Sequence, residues 1–185
     1  MTQVRAFLAI EVPEEIKLKI YKVIKEFKQI DANIKYVELE NLHLTLKFFG
    51  DIDTEGIGLL SEKIASVVSE FDTFKVNIKG CGAFPNTKRI KVIWLGLEND
   101  GFVRKLHDEL DKEFVQMGFD KDRKFSTHLT IGRMRSAKGK DQVKSAIESF
   151  KEIEIGEMDV DKIVLKKSTL TPHGPIYEDL EIFEL

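Results

Sequence analysis

One tetrapeptide is written twice in this chain, as His43-Leu44-Thr45-Leu46 and as His128-Leu129-Thr130-Ile131, although only four histidines occur among 185 residues. The repetition constrains the fold because the surroundings of each copy repeat too. The motifs lie 85 residues apart, and placing FLAIE (residues 7–11) over WLGLE (residues 94–98) gives an offset of 87. Each half reads as apolar strand, amphipathic helix, strand carrying His-Leu-Thr, helix, strand. A duplicated unit is therefore expected, with repeats of roughly 4–85 and 90–167 related by a pseudo-two-fold axis. No Ser/Gly-rich linker divides the halves, so residues 1–185 are read as a single two-lobed domain.

Local patterns fill in that plan. Residues 5–12 are a short apolar run that reads as a buried strand. Pro13-Glu14-Glu15 then opens a helix, with proline in the first turn and acids at the positive end of the dipole. Ile16, Ile20, Val23, Ile24 and Phe27 follow at helical spacing. Residues 34–37 make a brief strand and residues 41–49 a clearer one, ended by Gly50-Asp51. A second helix covers about 55–71, and strands at 74–84 and 89–97 are joined by the turn Pro85-Asn86-Thr87-Lys88. After Glu98 the order restarts, with a helix over about 102–117 closing at Gly118 and a strand over 125–133. A helix over about 141–150, one or two strands within 153–169, the breaker-rich loop 171–175 and a strand over 176–185 complete the chain. The expected class is α+β, with two pseudo-symmetric lobes that each carry an antiparallel sheet and helices.

Strand alternation assigns the motif residues to faces. His43 and Thr45 share one face and Leu44 and Leu46 the other; His128 and Thr130 oppose Leu129 and Ile131 in the same way. Continuing the alternation puts Lys47 and Phe49 on the polar face and Phe48 with the core. Either copy alone reads as a solvated strand face. Two copies about an axis instead bring two imidazoles to one point. A neutral histidine there takes a proton from a nucleophile while a protonated one supplies a leaving group, as in-line displacement at phosphorus requires. The hydroxyls of Thr45 and Thr130 then bond the non-bridging oxygens. No metal is needed, and no His/Asp/Glu cluster stands out at metal-ligand spacing. His107-Asp108 reads as an isolated pair on a solvated helix face, and His173 as a residue that caps a turn.

Net charge is −3, so the whole surface does not attract nucleic acid, and a polyanion needs a local basic patch. Arg133 and Arg135 follow the second motif, Lys121, Arg123 and Lys124 precede it, and Lys166 and Lys167 lie further on. Arg133, which closes the motif strand, is the one expected to pair with phosphate. Phe49 is expected either to stack on a base or to shield the rim. Cys81 is the one cysteine and sits in an apolar stretch, a buried and inert thiol. The first residues lack a signal-peptide core and no segment has membrane-spanning length, so a cytoplasmic protein is expected.

The two H-x-T motifs, one lobe apart, resemble those of the two-histidine phosphoesterases. RAFLAIEVP, ENLHLTLKFFG, THLTIGR and STLTPHGPIYEDL further resemble the bacterial and archaeal RNA 2′,3′-cyclic phosphodiesterases, historically called 2′-5′ RNA ligases. The resemblance covers the whole chain. It implies a bilobal fold with both motifs lining a cleft, and hydrolysis of RNA 2′,3′-cyclic phosphate ends to 2′-phosphomonoesters. It also implies that His43 is the proton donor to the 3′-oxygen, that His128 is the proton acceptor that activates water, and that Thr45 and Thr130 hold the phosphate. No cofactor is expected, and a monomer is. The implied partner is RNA with a cyclic phosphate terminus, such as tRNA halves, or a small cyclic nucleotide. Sequence physics leaves donor and acceptor open, because the two copies are equivalent on paper. Two alternatives stand beside hydrolysis. One is 2′-5′ ligation by the reverse transesterification, since K-x-D-G and P-loop motifs are absent. The other is RNA-end binding without turnover.

Overall fold

A computed structural model describes residues 1–185. The first half holds β1 (Gln3–Glu11), α1 (Glu14–Lys28), β2 (Ile34–Tyr36), β3 (His43–Asp53), α2 (Ile57–Val68) and β4 (Phe74–Asn86). The second holds β5 (Arg89–Glu98), α3 (Gly101–Gln116), β6 (His128–Met134), α4 (Lys140–Ser149), β7 (Glu154–Val160), β8 (Lys162–Thr171) and β9 (Gly174–Glu184). Every strand pair is antiparallel, in two sheets ordered β3-β1-β8-β9 and β2-β6-β5-β4-β7. This is the α+β, two-lobed architecture with an antiparallel sheet and helices in each lobe.

The halves do not keep to separate sheets. Each motif strand lies beside the strand that opens its half, β3 beside β1 and β6 beside β5, but the strands beyond are exchanged. β4 joins β5, and β8 returns to pair with β1, carrying β9 with it. The helices cross as well: α1 and α4 pack on the second sheet, α2 and α3 on the first. β2 alone has no counterpart. It extends the second sheet beyond β6, while β3 is left as an edge.

Burial explains why the exchange holds. Residues 6–10 of β1 are buried without alternation, as a central strand covered on both faces must be. One apolar cluster of 38 buried residues runs through both lobes, so the lobes share a core. Leu44 and Leu129, the leucines of the two motifs, line the same small apolar void between the sheets, with Ile10, Val76 and Ile78. Truncating either to alanine costs about 2–5 kcal/mol. The inward aliphatic pairs therefore fix the backs of both motif strands.

Strict alternation fails just after each motif, for the same reason in both. In β3, Thr45 pairs with Ala9 and Lys47 with Leu8, so Leu46 is an extra residue. In β6, Thr130 pairs with Trp94 and Gly132 with Ile93, so Ile131 is extra. Each is a β-bulge, which resets the side-chain parity. Lys47 is consequently buried and Phe48 turned outward, 51% exposed. Arg133 is turned outward at the equivalent place in β6. A second irregularity at Gly50, in the left-handed region (φ 72°), carries β3 on to Asp53 where the sequence suggests a stop. Phe49, expected on the substrate face, is 9% exposed and packs against Phe114 (ring centroids 4.9 Å) and Phe119 (5.0 Å). It is a core residue, turned inward by the bulge at Leu46.

Candidate active site

His43 is seated by its own strand start. Its Nδ1 lies 2.7 Å from the Asn41 carbonyl and its Nε2 2.9 Å from Thr45 Oγ1. A carbonyl only accepts, so Nδ1 carries hydrogen, and the neutral ring keeps its lone pair on Nε2. Phe7 and Tyr177 wall the ring at centroid distances of 5.0 and 5.5 Å. His128 is seated in parallel fashion by the residue two before it: Nδ1 lies 2.9 Å from Ser126 Oγ, a group that can donate or accept. Phe84 (4.6 Å) and Trp94 (6.1 Å) wall this ring. Gly82 makes room for Trp94, since a Cβ there would stand 2.3 Å from the indole.

Both imidazoles border one cleft of about 770 Å³, together with Thr45, Thr130, Phe48 and Arg133. Burial is the main influence on each and pushes both below the ordinary histidine range. The secondary influences differ. Around His43 the bond to the Asn41 carbonyl and the charge of Glu11 work upward, against Lys166. That lysine is itself paired with Asp179 (2.7 Å) and Glu11 (3.0 Å). Around His128 a bond with Ser126 works upward and the Arg133 charge downward. Arg133 has no carboxylate partner. Nor do Arg5, Lys35 and Arg135, the other basic residues lining the cleft. Against them stand Glu38 and Glu40, so the cleft is basic in a chain of net charge −3.

The family profile described as LigT-like phosphoesterase matches residues 10–94 and 97–177. The chain belongs to this family. It is 40% identical over 183 residues to the RNA 2′,3′-cyclic phosphodiesterase of Methanothermobacter thermautotrophicus, a match covering 99% of this chain and 100% of the relative. With the RNA 2′,3′-cyclic phosphodiesterase of Methanocaldococcus jannaschii it shares 42% identity over 174 residues, 94% of this chain and 96% of that one. The crystal structure of TT0787 of Thermus thermophilus superposes with a TM-score of 0.84 at 25% identity, covering 98% of this chain and 97% of that one.

In this LigT-like phosphoesterase the cleft gathers His43, Thr45, His128, Thr130 and Arg133 as the sequence suggests. Of the basic residues near the second motif it takes Arg133 and Arg135; Lys121, Arg123, Lys124, Lys166 and Lys167 lie outside its lining. His173 sits at the β8–β9 turn, where its N–H bonds Thr171 Oγ1, and also borders the cleft. Residues that sequence reasoning missed include Phe7, Tyr177, Asn41, Ser126 and Arg5. A signal existed for two of them, because Asn41 and Ser126 each stand two places before a motif histidine. Arg5 lies over the Phe48 ring, 4.8 Å from its centroid, and makes that exposed aromatic a cationic stacking face. No helix is long and apolar enough to cross a membrane. Cys81 is buried, which pushes its thiol up to about 12.

The His107-Asp108 expectation is overturned. His107 is 3% exposed, stacks face to face on Phe125 (3.7 Å) and bonds Asp122 (2.9 Å). With Asp111 and Asp122 it forms a cluster of metal-ligand character that the sequence spacing hid, because Asp122 arrives from a loop. The cation there is Lys47. Its ammonium donates to Asp111 (2.9 Å), Asp122 (3.0 Å) and the Asp120 carbonyl (2.6 Å). Burial works against the charge of this lysine, but the two carboxylates outweigh burial and raise its pKa. The network ties β3 to α3 and to the loop that delivers the second motif. Thr127, bonded to Asp100, clamps the same loop. Residues 125–127 are held by these side-chain anchors, so β6 begins at His128 and not at residue 125.

Proposed function

We propose that this protein hydrolyses the 2′,3′-cyclic phosphate end of RNA to a 2′-phosphomonoester, without a metal, by paired histidine acid–base catalysis. Water attacks phosphorus as His128 takes its proton. The P–O3′ bond breaks as His43 Nε2–H protonates the leaving 3′-oxygen, and solvent exchange then resets both rings. Thr45 and Thr130 donate to the non-bridging oxygens, and Arg133 balances the charge that builds there. A protonated His43 donates from Nε2 and so releases the Thr45 hydroxyl proton toward the phosphate. Phe48, with Arg5 over it, offers a face for a nucleobase.

The observation that carries this reading is one basic cleft bordered by both His-Thr pairs and Arg133. The relatives named RNA 2′,3′-cyclic phosphodiesterase supply the substrate class. One difference in the surroundings bears on the roles. Each ring is bonded by the residue two before it and has a cation nearby, Lys166 for His43 and Arg133 for His128. Only His43 also has a carboxylate, Glu11, which favours a ring that holds a proton.

Incubation with a 2′,3′-cyclic mononucleotide, resolving the isomeric products, tests the assignment. A 2′-phosphate is expected, and a 3′-phosphate overturns the donor and acceptor roles. Turnover is expected to persist in EDTA; strong inhibition reversed by a divalent metal overturns the mechanism.

A further inference from the structure

The cleft holds more positive charge than one reacting phosphate uses. Arg133 stands three residues past Thr130 and serves that phosphate. Lys35 and Arg135 lie beyond it, on the strand pair that breaks the pseudo-symmetry. β2 crosses from the first half of the chain to the outer edge of β6, with Lys35 directly opposite Arg133. The pairing continues past the strand end through the Arg135 N–H to the Asn33 carbonyl (2.8 Å), which sets Arg135 next along the same wall. Directly opposed residues on antiparallel strands share a face, as do residues two apart. Lys35, Arg133 and Arg135 thus form a basic row leading away from the histidines, and all three border the cleft.

The row is kept free of internal partners. Ion pairs are common on this chain, yet none engages Lys35 or Arg135. β2 is also fitted tightly to its neighbour: a Cβ at Gly132 would stand 3.0 Å from Ile34 and 3.3 Å from Tyr36. No strand extends the wall at β3, where the place equivalent to Arg133 is held by aromatic Phe48.

We propose that Lys35 and Arg135 form a second phosphate site, which holds the next backbone phosphate of a single-stranded RNA whose cyclic end lies between the histidines. The proposal rests on the phosphodiesterase reading and adds that the preferred substrate is an oligonucleotide end, with the strand running along β2–β6. The nearer phosphate is neutralised by the reaction centre and the next by this row.

The experiment compares kcat/KM for a 2′,3′-cyclic mononucleotide with that for cyclic-phosphate-ended di- and trinucleotides, in the wild type and in Lys35→Ala/Arg135→Ala. Both side chains are exposed, so the double variant folds. The wild type is expected to favour the oligonucleotides. The variant is expected to lose on the order of tenfold on them, through KM, with mononucleotide turnover unchanged. The slope of log KM against log salt should fall by about 0.7 for each contact removed. An equal loss on mono- and oligonucleotides, or no loss on either, overturns the second site. If neither substrate is turned over, the hydrolase reading fails by itself. Anisotropy of a labelled 2′-phosphate-ended trinucleotide then decides the site: weaker binding by the variant upholds it, and equal binding overturns it.

Discussion

β3 and β6 carry the same device to different ends. In each, a histidine and a threonine face the cleft, an aliphatic residue bulges out of the ladder, and the residue five places after the histidine swings into the cleft. On β3 that residue is Phe48, and on β6 it is Arg133. The histidines are likewise matched in backbone and only partly different in company: Lys166 and the carboxylate of Glu11 stand near His43, and the guanidinium of Arg133 near His128. In the proposed mechanism the repeated motif supplies both proton-transfer positions, and Glu11, beside His43 alone, is the charged neighbour that distinguishes them. One wall is suited to a base and the other to phosphate.

The largest effect that tests this division is loss of either imidazole. His43→Ala and His128→Ala should each lower kcat by about 10²–10⁴-fold. The two part company on a phosphodiester with a good leaving group, such as a nitrophenyl ester, which needs no protonation. That substrate should restore much of the rate of His43→Ala and little of His128→Ala; the reverse pattern would exchange their roles.

The bulges predict a second contrast. Phe49→Ala should cost about 3–5 kcal/mol of stability in denaturant unfolding, as a core truncation. Phe48→Ala should leave the unfolding midpoint nearly unchanged and raise KM about tenfold through lost stacking. Arg133→Ala should lower kcat/KM by roughly 10- to 100-fold, and Arg133→Lys should recover only part of it, because the bidentate fork is lost. If Phe49→Ala raised KM at unchanged stability, the bulge assignment would fail.

The smallest effect is on stability against pH. Both histidines have folded values pushed below the unfolded value of about 6.5, so the unfolded chain takes up protons first as pH falls. Their stability contribution is therefore intact above about pH 6.5 and declines below it. Thermal unfolding of His43→Gln and of His128→Gln should be less sensitive to acid than that of the wild type between about pH 5 and 7. A steeper loss in the variants would contradict burial as the dominant influence on the rings.

Much of this was legible in the residues. The faces of His43, Leu44 and Thr45 follow from alternation, α1 from its helical spacing, and the cleft from writing the motif twice. What escaped depends on pairing, which no single segment encodes. Leu46 and Ile131 look like ordinary strand residues until their partners are known, so strict alternation misplaces Lys47, Phe48 and Phe49 after the first motif. His107 looks solvent-facing until the loop folds Asp122 and Phe125 onto it. β2 reads as a minor strand of the first half and instead serves the second wall.

The exchanged strands also govern how the protein can be made. β1 is paired along one edge with β3 and along the other with β8, which leaves the ribosome only after residues 12–161 have been synthesised. Until then Phe7 to Ala9 have an open ladder edge, and Tyr177 has not arrived to close the wall around His43. The nascent first half, though it contains a complete motif, waits on the emergence of β8 for its sheet. Catalytic competence is expected to appear in one late step, after residues 162–184 emerge, and not to grow lobe by lobe.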